Sequence, residues 1–389
     1  MHPAVSCPDG HAHKAAAKIG GCIPVTLGER ASYLWPHMPD ALLSNPALVS
    51  ALANRDAGRF CTLILPAVSR TFALGIKVLP GHLGQAVLDA YLLCRIADTI
   101  EDAPTVDPHI KATLLDDLLE AFDNPGALAR LLGAARDIAG EPAHLMLTQN
   151  TDLVMEHFAQ LPQPTRAIVR QWVAEMATGM RKFVLMYPHG IRIQSIAEYR
   201  EYCYYVAGTV GYMLTDLWRA HSTSINAERY ERLRGRCRAF AEALQTVNIL
   251  KDVATDVEKE NSIYIPETLL VAAGSSQRTI LAPELLTNNR AALASLIDMA
   301  WHDLEEARNY LLLLPRREVS IRMFCILPLV LAYATLRDLV PSTAMLRSGG
   351  AVKITRREVK ALLIAGAACV GSNWAIGQLI ERVRKRPFV

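Results

Sequence analysis

The chain has little of what would mark several common protein classes. Net charge is only +3 over 389 residues, with 41 Lys and Arg against 38 Asp and Glu. The strong or clustered basic excess that nucleic-acid binding requires is missing. No alternating run is long enough for a sheet, and no repeat of solenoid period is present. There is no dinucleotide-binding glycine fingerprint. The eight cysteines (7, 22, 61, 94, 203, 237, 325, 369) show no metal-type spacing. Cys94, Cys203 and Cys325 sit in apolar helical runs, which reads as buried free thiols in a reducing, cytoplasmic compartment. The first 20 residues are polar and lack the apolar stretch of a secretory leader. Cys7, His11 and His13 have no fourth ligand nearby and read as a loose tail rather than a metal site. The long apolar run from Met323 to Tyr333 is bounded by Arg322 and Arg337, which leaves it short of a membrane span.

What remains is helix. Half the chain is apolar (51%), enough for a sizeable core. From about Ala47 onward, apolar residues recur at spacings of three and four. The pattern predicts helices near 57–78, 84–102, 108–122, 143–160, 165–187, 195–221, 226–258, 288–314, 318–340 and 355–385. Turn signals fall between them, among them Leu79-Pro80-Gly81, Asn124-Pro125-Gly126 and Gly274-Ser275-Ser276. The expected fold is all-α: an irregular arm over 1–45, then one helical domain over 46–389 around a central cavity.

Two stretches carry the chemistry. Asp98 and Asp102 are four residues apart, as are Asp252 and Asp256. Residues at i and i+4 share a helix face about 5–6 Å apart, and like charges there repel. Each pair needs something positive, and hard oxygen donors suit Mg²⁺ bridged to a diphosphate. Arg95, Asp98, Glu101 and Asp102 share one face, with Tyr91 a turn back. A solvated charge face would look similar, but this cluster interrupts a helix rich in Ala, Leu and Ile. Gln245, Asn248, Asp252 and Asp256 form a second polar stripe, with Lys251 beside it and a polar loop, Glu258 to Ser262, after it. Ser69, Arg70 and Thr71 lie in an apolar run; a phosphate would satisfy them, and so would a helix end with a Ser or Thr there and an exposed Arg. Gly179 inside a helix marks a close approach, by backbone or ligand. Ala207, Gly208 and Gly211 allow tight helix–helix packing with an aromatic core, and they also open a groove that the neighbouring tyrosines are expected to ring. Such a groove suits a greasy substrate passing through carbocations, which aromatic faces stabilise.

Four of these blocks resemble the squalene and phytoene synthase family: VSRTFAL at 68–74, DTIED at 98–102, YCYYVAGTVG at 202–211 and NILKDVATD at 248–256. Three others are closer to squalene synthases than to the shorter carotenoid-type enzymes: ATGM at 177–180, FCILPLVLAYATL at 324–336 and AVKITRREVKAL at 351–362. The resemblance implies an isoprenoid synthase fold of bacterial type. It also implies a reaction in which two farnesyl diphosphates condense through presqualene diphosphate to squalene, with NADPH-dependent reduction. Carried over by motif, Asp98, Asp102, Asp252 and Asp256 would bind Mg²⁺, with Glu101 near. Ser69, Arg70, Arg95, Gln245, Asn248 and Lys251 would contact diphosphate or cofactor phosphate. Tyr202 would stand beside the reacting carbon as the catalytic tyrosine, and Tyr91 and Tyr333 would line the ionisation site. Lys353 and Arg356 would contact NADPH. The chain departs from the family at Val253, Ala254 and Thr255, at Ala103, and at Thr355, where a basic residue is usual. The competing readings are a non-reductive phytoene or dehydrosqualene synthase, a terpene cyclase, and a non-catalytic helical assembly partner. The oligomeric expectation is a monomer whose basic end, Arg382 to Arg386, could touch anionic lipid on the inner membrane face.

Overall fold

A computed structural model describes residues 45–389 of the chain. All but the last residue of the expected N-terminal arm, and the Cys7, His11 and His13 group, lie outside the described residues. The α-helices are α1 (Pro46–Ala53), α2 (Ala57–Val68), α3 (Arg70–Lys77), α4 (Gly81–Glu101), α5 (Pro108–Glu120), α6 (Pro125–Ala134), α7 (Pro142–Gln149), α8 (Thr151–Ala159) and α9 (Gln163–Met186). They continue with α10 (Ile196–Cys203), α11 (Thr209–His221), α12 (Ala227–Thr255), α13 (Glu267–Ala272), α14 (Leu286–Ala292), α15 (Ala294–Leu313), α16 (Val319–Leu339), α17 (Arg356–Cys369) and α18 (Asn373–Lys385). Among the described residues the only β pairing is a single bridge, Arg192 with Ile263.

The helix breaks have local causes. The expected 57–78 helix is two, because Ser69 turns extended (φ −156°, ψ 115°) and its hydroxyl accepts the Phe72 amide at 3.1 Å. That is an N-cap, and it starts α3 in a new direction. Asn150 divides 143–160 differently: its backbone leaves the helix (φ −122°, ψ 34°) and its side-chain amide donates to the Met146 carbonyl of α7 at 2.8 Å. Asn124-Pro125, expected as a turn, opens α6. Asn124 accepts the Gly126 amide and Pro125 takes the first helical position, where its missing N–H costs nothing. Ser372 caps α18 and so splits 355–385. Thr355, the departure from the family's basic residue, caps α17 by accepting the Glu358 amide at 3.1 Å.

Helix α16 has the length and composition of a membrane span, yet most of it is buried within the protein. Its bounding Arg322 is fully buried and donates to the carbonyls of Leu311, Leu314 and Val370, closing the ends of neighbouring helices. Around α16 pack α3, α12, α15, α17 and α18. The long α12 lies along α15 on one side and against α11 on the other. At Gly211 a Cβ would fall 2.3 Å from the Cys237 carbonyl, so only glycine lets α11 and α12 meet there. Gly179 of α9 plays the same part against Tyr205, whose ring a Cβ would overlap at 2.0 Å. These close contacts bring the C-terminal turns of α4 and α12 to one cleft.

Candidate active site

The first wall of the cleft is the end of α4. Arg95 pairs with Asp98 at 3.3 Å and donates to the Tyr91 hydroxyl at 3.1 Å. Tyr91 in turn donates to the Val68 carbonyl at 3.2 Å, tying the wall to the end of α2. Asp98 and Asp102 are wetted by the cleft but crowded by protein. Glu101 is buried, and its Oε1 has no hydrogen-bond partner among the described residues. Burial raises the Asp98 carboxyl above its usual range, with Arg95 opposing. Glu101 and Asp102 are pushed well up, first by burial, then by each other's neighbourhood: Asp102 and Asp98 act on Glu101, Glu260 and Asp98 on Asp102. Lys111 reaches only the Glu101 backbone carbonyl, at 2.6 Å.

The second wall is the end of α12 and the π-helical turn Asp256–Glu260 that follows it. Gln245, Asn248, Asp252 and Asp256 all line the cleft, and Lys251 pairs with Asp252. Asp256 is pushed up to about 9 by burial and by Glu260, Asp252 and Asp102, with Lys251 opposing. Glu260 also lines the cleft, and its carboxyl is raised by burial, then by Asp252 and Asp98. The polar loop expected at 258–262 is therefore part of the wall. The signal was present in the sequence, since 252, 256 and 260 continue the four-residue spacing.

Six carboxylates and two cations, Arg95 and Lys251, thus line one cavity of about 310 Å³. Carboxylates so crowded and so buried call for an external cation, and all-oxygen donors from two facing walls fit Mg²⁺. Tyr202 closes the inner end. It is buried, stacked on Tyr264 at 5.0 Å and set edge-on to Phe183 at 5.1 Å. Burial, then the charge of Glu101, keeps its hydroxyl protonated well above the usual phenol range.

Two further cavities join this one through Arg95 and Asn248. One, of about 410 Å³, is lined by Ser69, Thr71, Phe72, Tyr91 and Lys251 from one side and Leu331, Thr335, Ile354 and Val359 from the other. The second, of about 200 Å³, is an apolar tunnel between α4, α11, α12 and α16, lined by Ala207, Val210, Gly211, Leu214, Phe240 and Phe324.

The structure brings Asp98, Glu101, Asp102, Asp252, Asp256, Tyr91, Arg95, Tyr202, Gln245, Asn248, Lys251 and Ser69 to these connected cavities. Arg70 is the first residue of α3, and its side chain lies outside the described part of the structure. Lys353 and Arg356 do not line a cavity described here. They stand exposed beside Ile354 and Val359, which do. Tyr333 is a correction. It is fully buried and its hydroxyl donates to the Leu304 carbonyl at 3.0 Å, because Pro328, Leu331, Ala332 and Thr335 form the cavity face of α16 and Tyr333 points the other way. The tyrosine ring around the small-residue groove is a second correction. The π turn Tyr204–Gly208 aims Val206 and Ala207 into the tunnel, while Tyr204 donates to Glu175 and Tyr212 stacks on Trp172. Phe72, Tyr91, Phe240 and Phe324 supply the tunnel's aromatic faces instead.

Residues 65–358 match the squalene/phytoene synthase family model, and the chain belongs to that family, whose enzymes are prenyltransferases. It is similar to the squalene synthase of Schizosaccharomyces pombe, 28% identical over 319 residues that cover 77% of this chain and 65% of that protein. It is also similar to squalene synthase 1 of Arabidopsis thaliana, 25% identical over 300 residues, 76% of this chain and 68% of that one. The chain thus spans about two thirds of the length of these curated relatives. In fold it resembles TcSQS in complex with the ligand BPH1237, with a TM-score of 0.72 at 22% identity over 84% of this chain and 90% of that one.

Proposed function

We propose that the chain joins two farnesyl diphosphates head to head to presqualene diphosphate and converts this to squalene with NADPH. The observation that carries the reading is the six-carboxylate cleft opening directly into an apolar tunnel. When bound, Mg²⁺ would neutralise the departing diphosphate and so promote allylic ionisation. Asp98, Asp102, Asp252 and Asp256 would hold it. Arg95, Lys251, Asn248 and Gln245 present donors where a diphosphate would lie, and Ser69 stands at the adjoining mouth. The tunnel keeps water from the prenyl chains, which protects a carbocation from capture. The protonated Tyr202 hydroxyl, fixed between Tyr264 and Phe183, can orient a leaving group or a proton at the inner end. Lys353 and Arg356 would hold a dinucleotide phosphate at the rim, and NADPH would supply reducing equivalents.

The exposed setting of Lys353 and Arg356, outside the cavities, favours a second reading in which condensation proceeds without reduction. Incubation of the purified chain with farnesyl diphosphate and Mg²⁺, with and without NADPH, separates the two. Squalene formed only with NADPH supports the first reading. A 30-carbon hydrocarbon formed equally without it establishes the second, and no product under either condition sinks both.

A further inference from the structure

The carboxylate cleft has a second side. Beyond Glu101, Asp102 and Glu260 lies another cavity, of about 250 Å³, lined also by Lys111, His189 and Asn261. Those three carboxylates border both cavities and form the wall between them. Glu101 is only 6% exposed, yet its Oε1 meets no donor among the described residues. A buried polar oxygen left without a partner is costly, and a bound cation is a partner that removes the cost.

Glu260 is held in place from behind. The residue after it, Asn261, is left-handed (φ 50°). Arg192 donates to its carbonyl and, at 2.7 Å, to its side-chain oxygen, while its amide nitrogen donates to the His189 carbonyl at 2.7 Å. Gly190 (φ 96°) packs so tightly beneath that a Cβ would come within 1.9 Å of the Asn261 carbonyl. The backbone bonds Ile263 to Ile191 and Ile193 to Ile263 complete a clasp between the two segments. The chain after the π turn is therefore fixed, and with it the position from which Glu260 enters the wall.

We propose that Glu260 is a metal-ligating residue which, with Glu101 and with Asp102 shared from the four-aspartate clamp, holds a further divalent cation in the wall between the two cavities. The inference rests on the Mg²⁺–diphosphate reading above. Carboxylate oxygens suit Mg²⁺, and a wet cavity on the far side suits an ion that keeps several of its waters. The clasp makes Glu260 a rigid donor rather than a loop residue that happens to be acidic.

The test is direct metal binding by the full chain, using Mn²⁺ alone and then Mn²⁺ with inorganic diphosphate, with free Mn²⁺ read by electron paramagnetic resonance. Glu260→Gln and Glu101→Gln are each expected to lose one Mn²⁺ equivalent or to weaken it at least tenfold. Their melting temperatures in EDTA should match or exceed the wild type, which separates a lost ligand from a lost fold. Asp252→Asn serves as the control for the clamp itself. Wild-type Mn²⁺ binding in both Glu variants, with a loss in Asp252→Asn, overturns the role of Glu260 and leaves the clamp reading standing. A wild type that binds no Mn²⁺ under either condition overturns both.

Discussion

Helix α12 carries two kinds of buried acid. Glu242 lies near its middle, almost fully buried, with Arg238 at 2.5 Å and Arg200 at 3.3 Å. Arg200 also pairs with Asp303 of α15 at 3.3 Å. Three turns later, Asp252, Asp256 and Glu260 face Asp98, Glu101 and Asp102, with Arg95 and Lys251 as the only basic groups among the residues lining that cleft. Glu358 belongs with Glu242: it is buried and bound by Arg337 at 2.9 Å and 3.2 Å. Burial alone therefore does not mark the site. Acids that hold the fold together are matched by their cations, whereas the six acids of the cleft share only Arg95 and Lys251.

The largest effect should come from removing an acid of the cleft, where six carboxylates share two cations. Asp252→Asn is expected to cut turnover at least a thousandfold, about 4 kcal/mol of barrier at 1.36 kcal/mol per decade. Unfolding in EDTA should show no loss of stability, because one like charge has left a crowded set. Turnover within tenfold of wild type would break the comparison at its functional end.

Glu242→Gln probes the opposite side. It removes a buried charge that two arginines answer, and breaking such a pair costs roughly 3 kcal/mol, less where the arginines can rehydrate. Both arginines are more than a third exposed, so about 2–3 kcal/mol is expected in urea denaturation. Turnover per folded molecule should stay within a few-fold. A variant as stable as wild type, but inactive, would place Glu242 with the wrong set of acids.

The helical pattern was legible because apolar periodicity survives in nearly every element, and both aspartate pairs were legible because their spacing matches it. The breaks were harder to see. Ser69 and Asn150 interrupt apolar runs without a proline or glycine between the two helices, and only the Ser69 cap and the non-helical backbone of Asn150 show the division. Glu260 was missed because its neighbours Glu258, Lys259 and Asn261 read as a solvated loop. A π turn and a clasp from a segment 69 residues away, at Arg192, turn that stretch inward. Tyr333 was placed by block resemblance, and the phase of its own helix argues against it: Leu331 and Thr335 share the cavity face, which leaves residue 333 opposite. Countercharge could not be read at all for Asp303, since Arg200 reaches it from over a hundred residues away.

Asp89 stands between the two kinds of acid and gives the smallest, most discriminating test. It is fully buried in α4 with one oxygen 2.5 Å from the His157 ring and the other unpartnered among the described residues. Burial raises its carboxyl from 3.8 to about 6, against the pull of His157. A raised acid contributes stability that is complete below its unfolded value, near pH 4, and is lost as pH climbs through 6. Over pH 4.5 to 7.5 that loss should be about 2 kcal/mol, since part of it has already occurred by pH 4.5. Asp89→Asn cannot ionise and should lack this component. Its stability relative to wild type is therefore expected to rise by about that amount across the interval, measured by urea unfolding at both pH values. Equal pH slopes in the two proteins would mean that His157 compensates Asp89 fully, and would move Asp89 into the group with Glu242 and Glu358.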